Sequence, residues 1–67
     1  MEDYQERVIA EKNELAGRLS KLRAFNRSVG YTTLSYAERG RLTRQEIAMG
    51  TYLEILEERI QAFRYGV

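Results

Sequence analysis

The fold is decided by the stretch LTRQEIAMGTYLEILEERIQAF, which runs from Leu42 to Phe63. Its apolar residues return every seven positions, with a leucine and an isoleucine between them. At about 100° per residue they occupy one stripe of a helix. The stripe consists of Leu42, Met49, Leu53, Leu56, Ile60 and Phe63. A stripe this wide must be covered by a partner, and we expect the N-terminal half of the chain to supply it.

The N-terminal half carries a matching apolar stripe. It is formed by Tyr4, Val8, Leu15, Leu19 and Leu22, with Ile9 and Ala16 on its flank. Asp3 and Glu6 have the spacing of a capping box, in which the first residue caps a helix. We therefore predict a first helix over residues 4–27 with Asp3 as its N-cap.

Residues 28–35, SVGYTTLS, are expected to form a loop, because Gly30 can take a positive φ and the hydroxyl residues favour local hydrogen bonds over helix. A second helix is predicted over residues 36–64. Ser35 with Glu38, and Thr43 with Glu46, both resemble capping boxes. The preferred interpretation is a break near Gly40 followed by a long helix from Leu42. Residues 65–67 are expected to fray.

The second helix also bears a weaker apolar strip on its other side, here called the second apolar strip. Its members are Ile47, Ala48, Thr51, Ile55 and Ala62. Two helices cannot bury both faces between themselves, so the pattern predicts a homo-oligomer. The fold class is thus all-α: an antiparallel two-helix hairpin, one domain over residues 1–67, assembling into a helical homo-oligomer.

The first helix has a face of small residues, for which two interpretations stay open. Its members are Ala10, Asn13, Gly17, Ser20 and Ala24. The face is either simply exposed, or it allows close approach by a helix of another copy. A mid-helix glycine costs about 1 kcal/mol against alanine, which slightly favours the second interpretation.

Composition excludes several classes of function. The 67 residues include no cysteine and no histidine, so disulfides, thiolate metal sites and the commonest general base are absent. Eleven basic against ten acidic residues give a net charge of +1, too balanced for a non-specific DNA-binding hairpin. No apolar run approaches the roughly 20 residues of a membrane span, and MEDYQERV does not resemble a signal peptide. We expect a cytoplasmic protein that is not an enzyme and uses no cofactor or metal.

The chain does contain side chains suited to a small anionic ring compound. Arginine and lysine can meet phosphates, tyrosine can stack on bases, and threonine can donate to phosphate oxygens. The candidate ligand-binding residues are Tyr4, Arg7, Lys12, Tyr31, Thr33, Arg41, Arg44 and Arg59. Each also has an ordinary interpretation as a solvated or packed helix residue. Tyr31, for example, would either plug the end of the helix pair or offer a stacking surface.

Most of the chain resembles a known family. The residues that carry the likeness are DYQERVIAEKNEL (Asp3–Leu15) and the later series Gln45, Met49, Tyr52, Ile55, Leu56, Arg59, Ile60 and Phe63. They resemble small bacteriophage two-helix hairpin proteins, which are similar to the hairpin domain of the phage anti-CBASS and anti-Thoeris sponges. Gly40-Arg41, Gln45 and Met49 are similar to a run at the start of the second helix in the anti-CBASS sponges. Lys12 lies where their first helix carries a phosphate-binding lysine.

The resemblance implies a non-enzymatic phage anti-defence protein that acts in the infected host. Such proteins assemble into hexamers or smaller multimers and sequester cyclic oligonucleotide immune signals at sites between subunits, without cleaving them. The longer anti-CBASS relatives have an N-terminal Gly-Tyr element whose tyrosine stacks on a base. This chain begins at the helix, so Tyr4 or Tyr31 would have to replace that tyrosine in a cyclic dinucleotide site. A cyclic trinucleotide site built from helix faces does not need the element.

A second hypothesis comes from another class. The chain would be a small helical interaction protein that binds a protein partner through the second apolar strip. A stoichiometric protein partner without bound nucleotide would distinguish it from a sponge.

Overall fold

The computed structural model describes residues 2–66, which form three helices and no strand. Helix α1 spans Asp3–Asn26, the short helix α2 spans Val29–Thr32, and helix α3 spans Tyr36–Tyr65. The two long helices lie side by side, and the molecule measures 46 × 16 × 14 Å. The predicted all-α class and the pair of long packed helices are confirmed.

Contacts across the pair show that the long helices are antiparallel. The rings of Tyr4 and Phe63 meet edge to face with centroids 6.2 Å apart, near the chain termini. At the loop end, the Asn26 side-chain amide donates to the Glu46 carboxylate at 2.9 Å. Early residues of α1 thus face late residues of α3, and the reverse holds at the loop.

The core is a single seam of apolar side chains between α1 and α3. Within the described residues the buried side chains are Val8, Leu15 and Leu19 of α1 with Leu56 and Ile60 of α3. Met49, Leu53 and Phe63 pack partly buried against the cluster formed by Val8, Leu15, Leu56 and Ile60. Both predicted stripes therefore form the seam. Leu56 is the centre of the seam, with 0% of its surface exposed.

The predicted N-cap of α1 was wrong by one residue. The helix begins at Asp3 itself, and Glu2 is the N-cap. The backbone N–H of Glu2 donates to the Gln5 side-chain oxygen at 3.0 Å. Gln5 therefore fills the role expected of Glu6, and Asp3 supplies negative charge to the first turn, where the helix dipole favours it.

The predicted loop over residues 28–35 contains the helical turn α2. Its hydroxyl groups donate locally as expected, with Thr32 Oγ1 to Val29 O at 2.6 Å and Thr33 Oγ1 to Gly30 O at 2.7 Å. These bonds reach back three residues and so stabilise a helical turn instead of replacing it. Gly30 does not take a positive φ. A Cβ there would lie 3.2 Å from the ring of Phe25, so a larger residue would require that ring to shift by a few tenths of an ångström.

The expected break near Gly40 does not occur. Helix α3 starts at Tyr36, where the Ser35 hydroxyl accepts from the Glu38 backbone N–H at 3.1 Å, and runs unbroken to Tyr65. The cost of glycine within a helix, about 1 kcal/mol, is smaller than the gain from the seam on either side. Thr43 does not cap a helix, since its hydroxyl donates to Arg39 O at 3.0 Å.

The C-terminal end is more ordered than expected. Tyr65 is helical, and Gly66 ends α3 in the left-handed conformation with φ 71°, which glycine adopts freely. Val67, also expected to fray, lies outside the described residues.

The buried position of Leu56 gives a stability prediction. Leu56→Ala should lower the free energy of unfolding by about 2–5 kcal/mol, because it leaves a cavity in the single layer of side chains packed between the two helices. Val29→Ala, at an exposed position of α2, should change it by less than about 0.5 kcal/mol. Urea unfolding followed by circular dichroism at one protein concentration checks both values. Equal losses in the two variants would contradict the assigned core.

Candidate ligand-binding site

One concave surface of the hairpin lies at its loop end, here called the loop-end pocket. It has a volume of about 370 Å³ and is lined by Tyr31, Tyr36, Arg39, Gly40, Thr43 and Arg44. Two tyrosines and two arginines thus line one space, and none of the six lining residues is acidic. This combination suits a ligand with a planar ring and a negative charge.

The pocket is built on one side of the first turns of α3. Tyr36, Arg39, Gly40 and Thr43 follow one another at helical spacing, so the unbroken helix places them side by side. No atom of residues 2–66, apart from the neighbouring helix backbone, lies within 4 Å of a Cβ built at Gly40. Glycine therefore leaves the pocket floor open.

Tyr31 closes the pocket from the connection between the helices. Its half-buried side chain places the hydroxyl 2.9 Å from Thr43 Oγ1 and 3.2 Å from Arg39 O. The Thr43 hydroxyl donates its own proton to Arg39 O, so the single Tyr31 proton is donated to one of these two oxygens at a time. Tyr31 thus links α2 to α3, which agrees with the interpretation that it plugs the end of the helix pair. The same contacts fix its ring at the edge of the pocket.

Arg39 has an unsatisfied donor at this site. Its Nε is shielded from solvent and has no hydrogen-bond partner among residues 2–66. Buried polar groups are normally paired, because leaving one unpaired costs about 1–3 kcal/mol and more for a charged group. Because the Nε is closed to solvent, a ligand in the pocket would satisfy it only if the Arg39 side chain moved.

A second concave surface lies at the other end of the hairpin, here called the open-end pocket. It measures about 360 Å³ and is lined by Tyr4, Arg59, Ala62 and Phe63. A smaller groove of about 130 Å³ beside it contains Lys12, Glu57 and Arg64. Tyr36 and Phe63 are 27 residues apart on one helix, so the two ends are separated by about 40 Å. One small ligand cannot contact both on a single hairpin.

Five of the eight candidate residues from sequence therefore fall into three groups. Tyr31 and Arg44 share the loop-end pocket, and Tyr4 and Arg59 share the open-end pocket. Lys12 lines the small groove. The others lie outside these pockets: Arg41 pairs with Glu38 at 2.8 Å, the Thr33 hydroxyl is used within α2, and Arg7 is exposed on α1.

Arg39 was missed among the site candidates. In the sequence, Arg39 is one of several arginines on an amphipathic helix. Its spacing of three residues from Tyr36 and four from Thr43 is the signal that could have found it.

Polar contacts across the seam were missed as well. The Tyr52 hydroxyl donates to the Glu11 carboxylate, and Arg23 Nε lies 3.6 Å from the Glu46 carboxylate that also accepts from Asn26. These contacts hold the two helices at a fixed register. Within residues 2–66, no three acidic side chains gather as a metal site would require.

The matches to known proteins agree with this small helical architecture. Residues 2–62 match the family model described as Sequestin. The chain belongs to the Sequestin family. It is also 38% identical over 61 residues to an uncharacterised 7.5 kDa protein of Enterobacteria phage T4, from the denB-rIIB intergenic region. That alignment covers 91% of this chain and 95% of the T4 protein. No solved structure matches the chain.

Likeness to a small phage protein is thus confirmed for this Sequestin family member. None of the helices in the described part of the chain is long and apolar enough to cross a membrane.

The Tyr52–Glu11 contact gives a prediction on pH dependence. The hydrogen bond to Glu11 raises the pKa of Tyr52 above its ordinary value of 10.0, with burial and the negative charge of Glu11 adding in the same direction. The fold therefore stabilises the protonated phenol. That stabilisation is complete below about pH 10 and is lost as the pH rises through the raised pKa of the folded protein.

Titration of tyrosinate absorbance should show a component that ionises above the ordinary tyrosine pKa of 10.0. Tyr52→Phe should remove that late component, and Glu11→Gln should move it to lower pH. Tyr65→Phe is the matched control and should leave the component in place. A late component that persists in Tyr52→Phe would contradict the assignment.

Proposed function

We propose that this protein is a phage anti-defence sponge that binds and sequesters cyclic oligonucleotide immune signals without cleaving them. The observation that carries the proposal is the loop-end pocket, in which Tyr31 and Tyr36 lie beside Arg39 and Arg44 without an acidic neighbour in the lining. The description of the family as Sequestin and the relative from phage T4 support a sequestering role during infection. The site of action would be the cytoplasm of the infected bacterium.

The ligand chemistry follows from the side chains. A nucleobase would stack on a tyrosine ring, and the phosphodiester would accept from the guanidinium group of Arg39. The unpaired Nε of Arg39 would gain an acceptor if the side chain turned towards the ligand on binding. Cyclic di- and trinucleotides combine these groups in one small molecule.

Capture without turnover is the mechanism that the composition favours. Cleavage of a phosphodiester needs an activated nucleophile, a general acid or base, or a metal. The chain has neither histidine nor cysteine. A sponge needs only affinity and abundance.

The proposed assembly is a homo-oligomer, with the hexamer as the expected copy number. The loop-end pocket is at the small end of the range for ligand sites, which is about 300–1,000 Å³. A single hairpin would therefore hold only part of a cyclic oligonucleotide. Sites between copies would enclose more of it.

Isothermal titration against a panel of cyclic di- and trinucleotides tests the proposal. We expect at least one tight ligand, and Arg39→Gln should weaken it by about 10- to 100-fold, because a hydrogen bond to a charged group contributes about 1.5–3 kcal/mol. The control is Arg18→Gln, which removes an exposed arginine of α1 that pairs only loosely with Glu14 at 3.8 Å. That variant should bind as the wild type does.

Chromatography of the nucleotide after release from denatured protein should recover it intact. Silence of the folded protein across the whole panel would contradict the proposal. Recovery of linear products would contradict capture without turnover. A stoichiometric protein partner pulled from infected cells, without nucleotide, would favour the interaction-protein alternative.

A further inference from the structure

The side of α3 that points away from α1 carries the most exposed large apolar side chains of that helix. Tyr36 is 87% exposed, Ile47 64%, Ile55 48% and Tyr65 69%. At about 100° per residue these four fall within an arc of roughly 100°, opposite the seam that holds Leu56. A face of this kind, running the length of a 30-residue helix, needs a covering partner.

The sequence of this face is symmetric about Thr51. Ile47 and Ile55 each lie four residues from it, and Arg44 and Glu58 each lie seven residues from it. Two antiparallel helices related by a twofold axis pair residues at equal distances from that axis. A twofold axis at Thr51 therefore places Ile47 of one copy on Ile55 of the other. It also places each Arg44 beside an oppositely charged Glu58.

The ends of the face follow the same symmetry. Gly40 and Ala62 each lie eleven residues from Thr51, and both are small enough for the two helices to approach closely there. Tyr36 lies fifteen residues from Thr51 and Tyr65 fourteen. Their levels along the paired helices therefore differ by about 1.5 Å. Tyr36 lines the loop-end pocket, so Tyr65 of the partner subunit would arrive at its open side.

We propose that a second copy of this chain packs antiparallel across α3, and that Tyr65 of the partner subunit completes the loop-end pocket. The ligand assignment rests on the proposed function and deepens it. A nucleobase lies between Tyr36 and the partner subunit's Tyr65, and Arg44 is engaged by Glu58 of the partner subunit. Arg39 is then the group that meets the phosphate. Each dimer holds two equivalent sites.

Single cysteines test the register, because the natural chain contains none. Thr51→Cys places two thiols on the twofold axis and should give a disulfide-linked dimer on mild oxidation. Ile47→Cys lies on the same face, but the two copies of it are about 12 Å apart along the helices. A disulfide needs α-carbons within about 7 Å. Ile47→Cys should therefore stay unlinked under the same conditions.

Denaturing, non-reducing electrophoresis measures the fraction of disulfide-linked dimer, and circular dichroism checks that both variants fold. Equal cross-linking of the two variants would overturn the register. A folded Thr51→Cys variant that stays unlinked would overturn the proposed interface. The exposed face of α3 would then have to be covered by a partner other than a second copy of this chain.

Subunit complementation tests the shared pocket. Tyr65→Ala and Arg39→Gln should each weaken binding of the cyclic nucleotide selected by titration at least 10-fold. In a refolded equal mixture, half of the dimers contain one copy of each variant. One of the two sites in such a dimer has both an intact Arg39 and an intact Tyr65. About a quarter of all sites should therefore regain wild-type affinity.

Failure to regain any tight sites, with mixed dimers shown by native mass spectrometry, would overturn the shared pocket. Absence of nucleotide binding by the wild type would overturn the proposed function and the ligand half of this inference together. The dimer itself is decided separately by the cysteine variants, which need no ligand.

Discussion

The apolar seam between α1 and α3 is the single packed layer of this two-helix molecule, and the rest of the structure depends on it. It buries Leu56 and Ile60 against Val8 and Leu15. A hairpin of two helices has no third layer, so every residue on the other side of α3 remains at the surface. A chain of this size buries only roughly 60% of the surface exposed by its unfolded state. The same constraint that makes the isolated hairpin marginal also leaves a long helix face available for binding.

The loop-end pocket depends on this arrangement as well. Because α3 continues through Gly40 without a break, Tyr36 and Arg39 stay in line with Thr43 and form one wall. Tyr31 can reach that wall because α2 turns back on the end of the helix pair. The covered side of α3 thus provides stability, and its outer side provides the proposed chemistry. An even number of copies, including a hexamer built from three dimers, is compatible with a twofold contact across that outer side.

Much of this fold could be predicted from the apolar spacing. Leu42 to Phe63 identified the seam of α3, and Ser35 marked its first turn correctly. The start of α1 was misplaced because Glu2–Gln5 and Asp3–Glu6 offer capping boxes one residue apart, and sequence spacing alone does not rank them. The break near Gly40 was wrong because local propensity is weaker than packing along both halves of α3.

The candidate site was harder to predict, because it depends on contacts between distant residues. Tyr31 and Arg44 were selected as chemically suitable, but only the folded connection shows that they share a pocket. Arg39 was missed because an unsatisfied Nε has no counterpart in the sequence. The Tyr52–Glu11 bond joins residues 41 positions apart and depends on the pairing of the two helices. Periodicity in the sequence therefore predicts which helix faces are buried. Contacts between residues that are far apart in the sequence can be identified only from the structure.

We propose that one hairpin leaves too much apolar surface exposed and is stable only when it joins other copies. Sedimentation equilibrium over a dilution series, with circular dichroism at each concentration, measures the copy number and the helix content together. We expect an even multiple of 7.9 kDa at the higher concentrations, with helical signal lost as the assembly dissociates. A fully helical 7.9 kDa monomer throughout the series would contradict it.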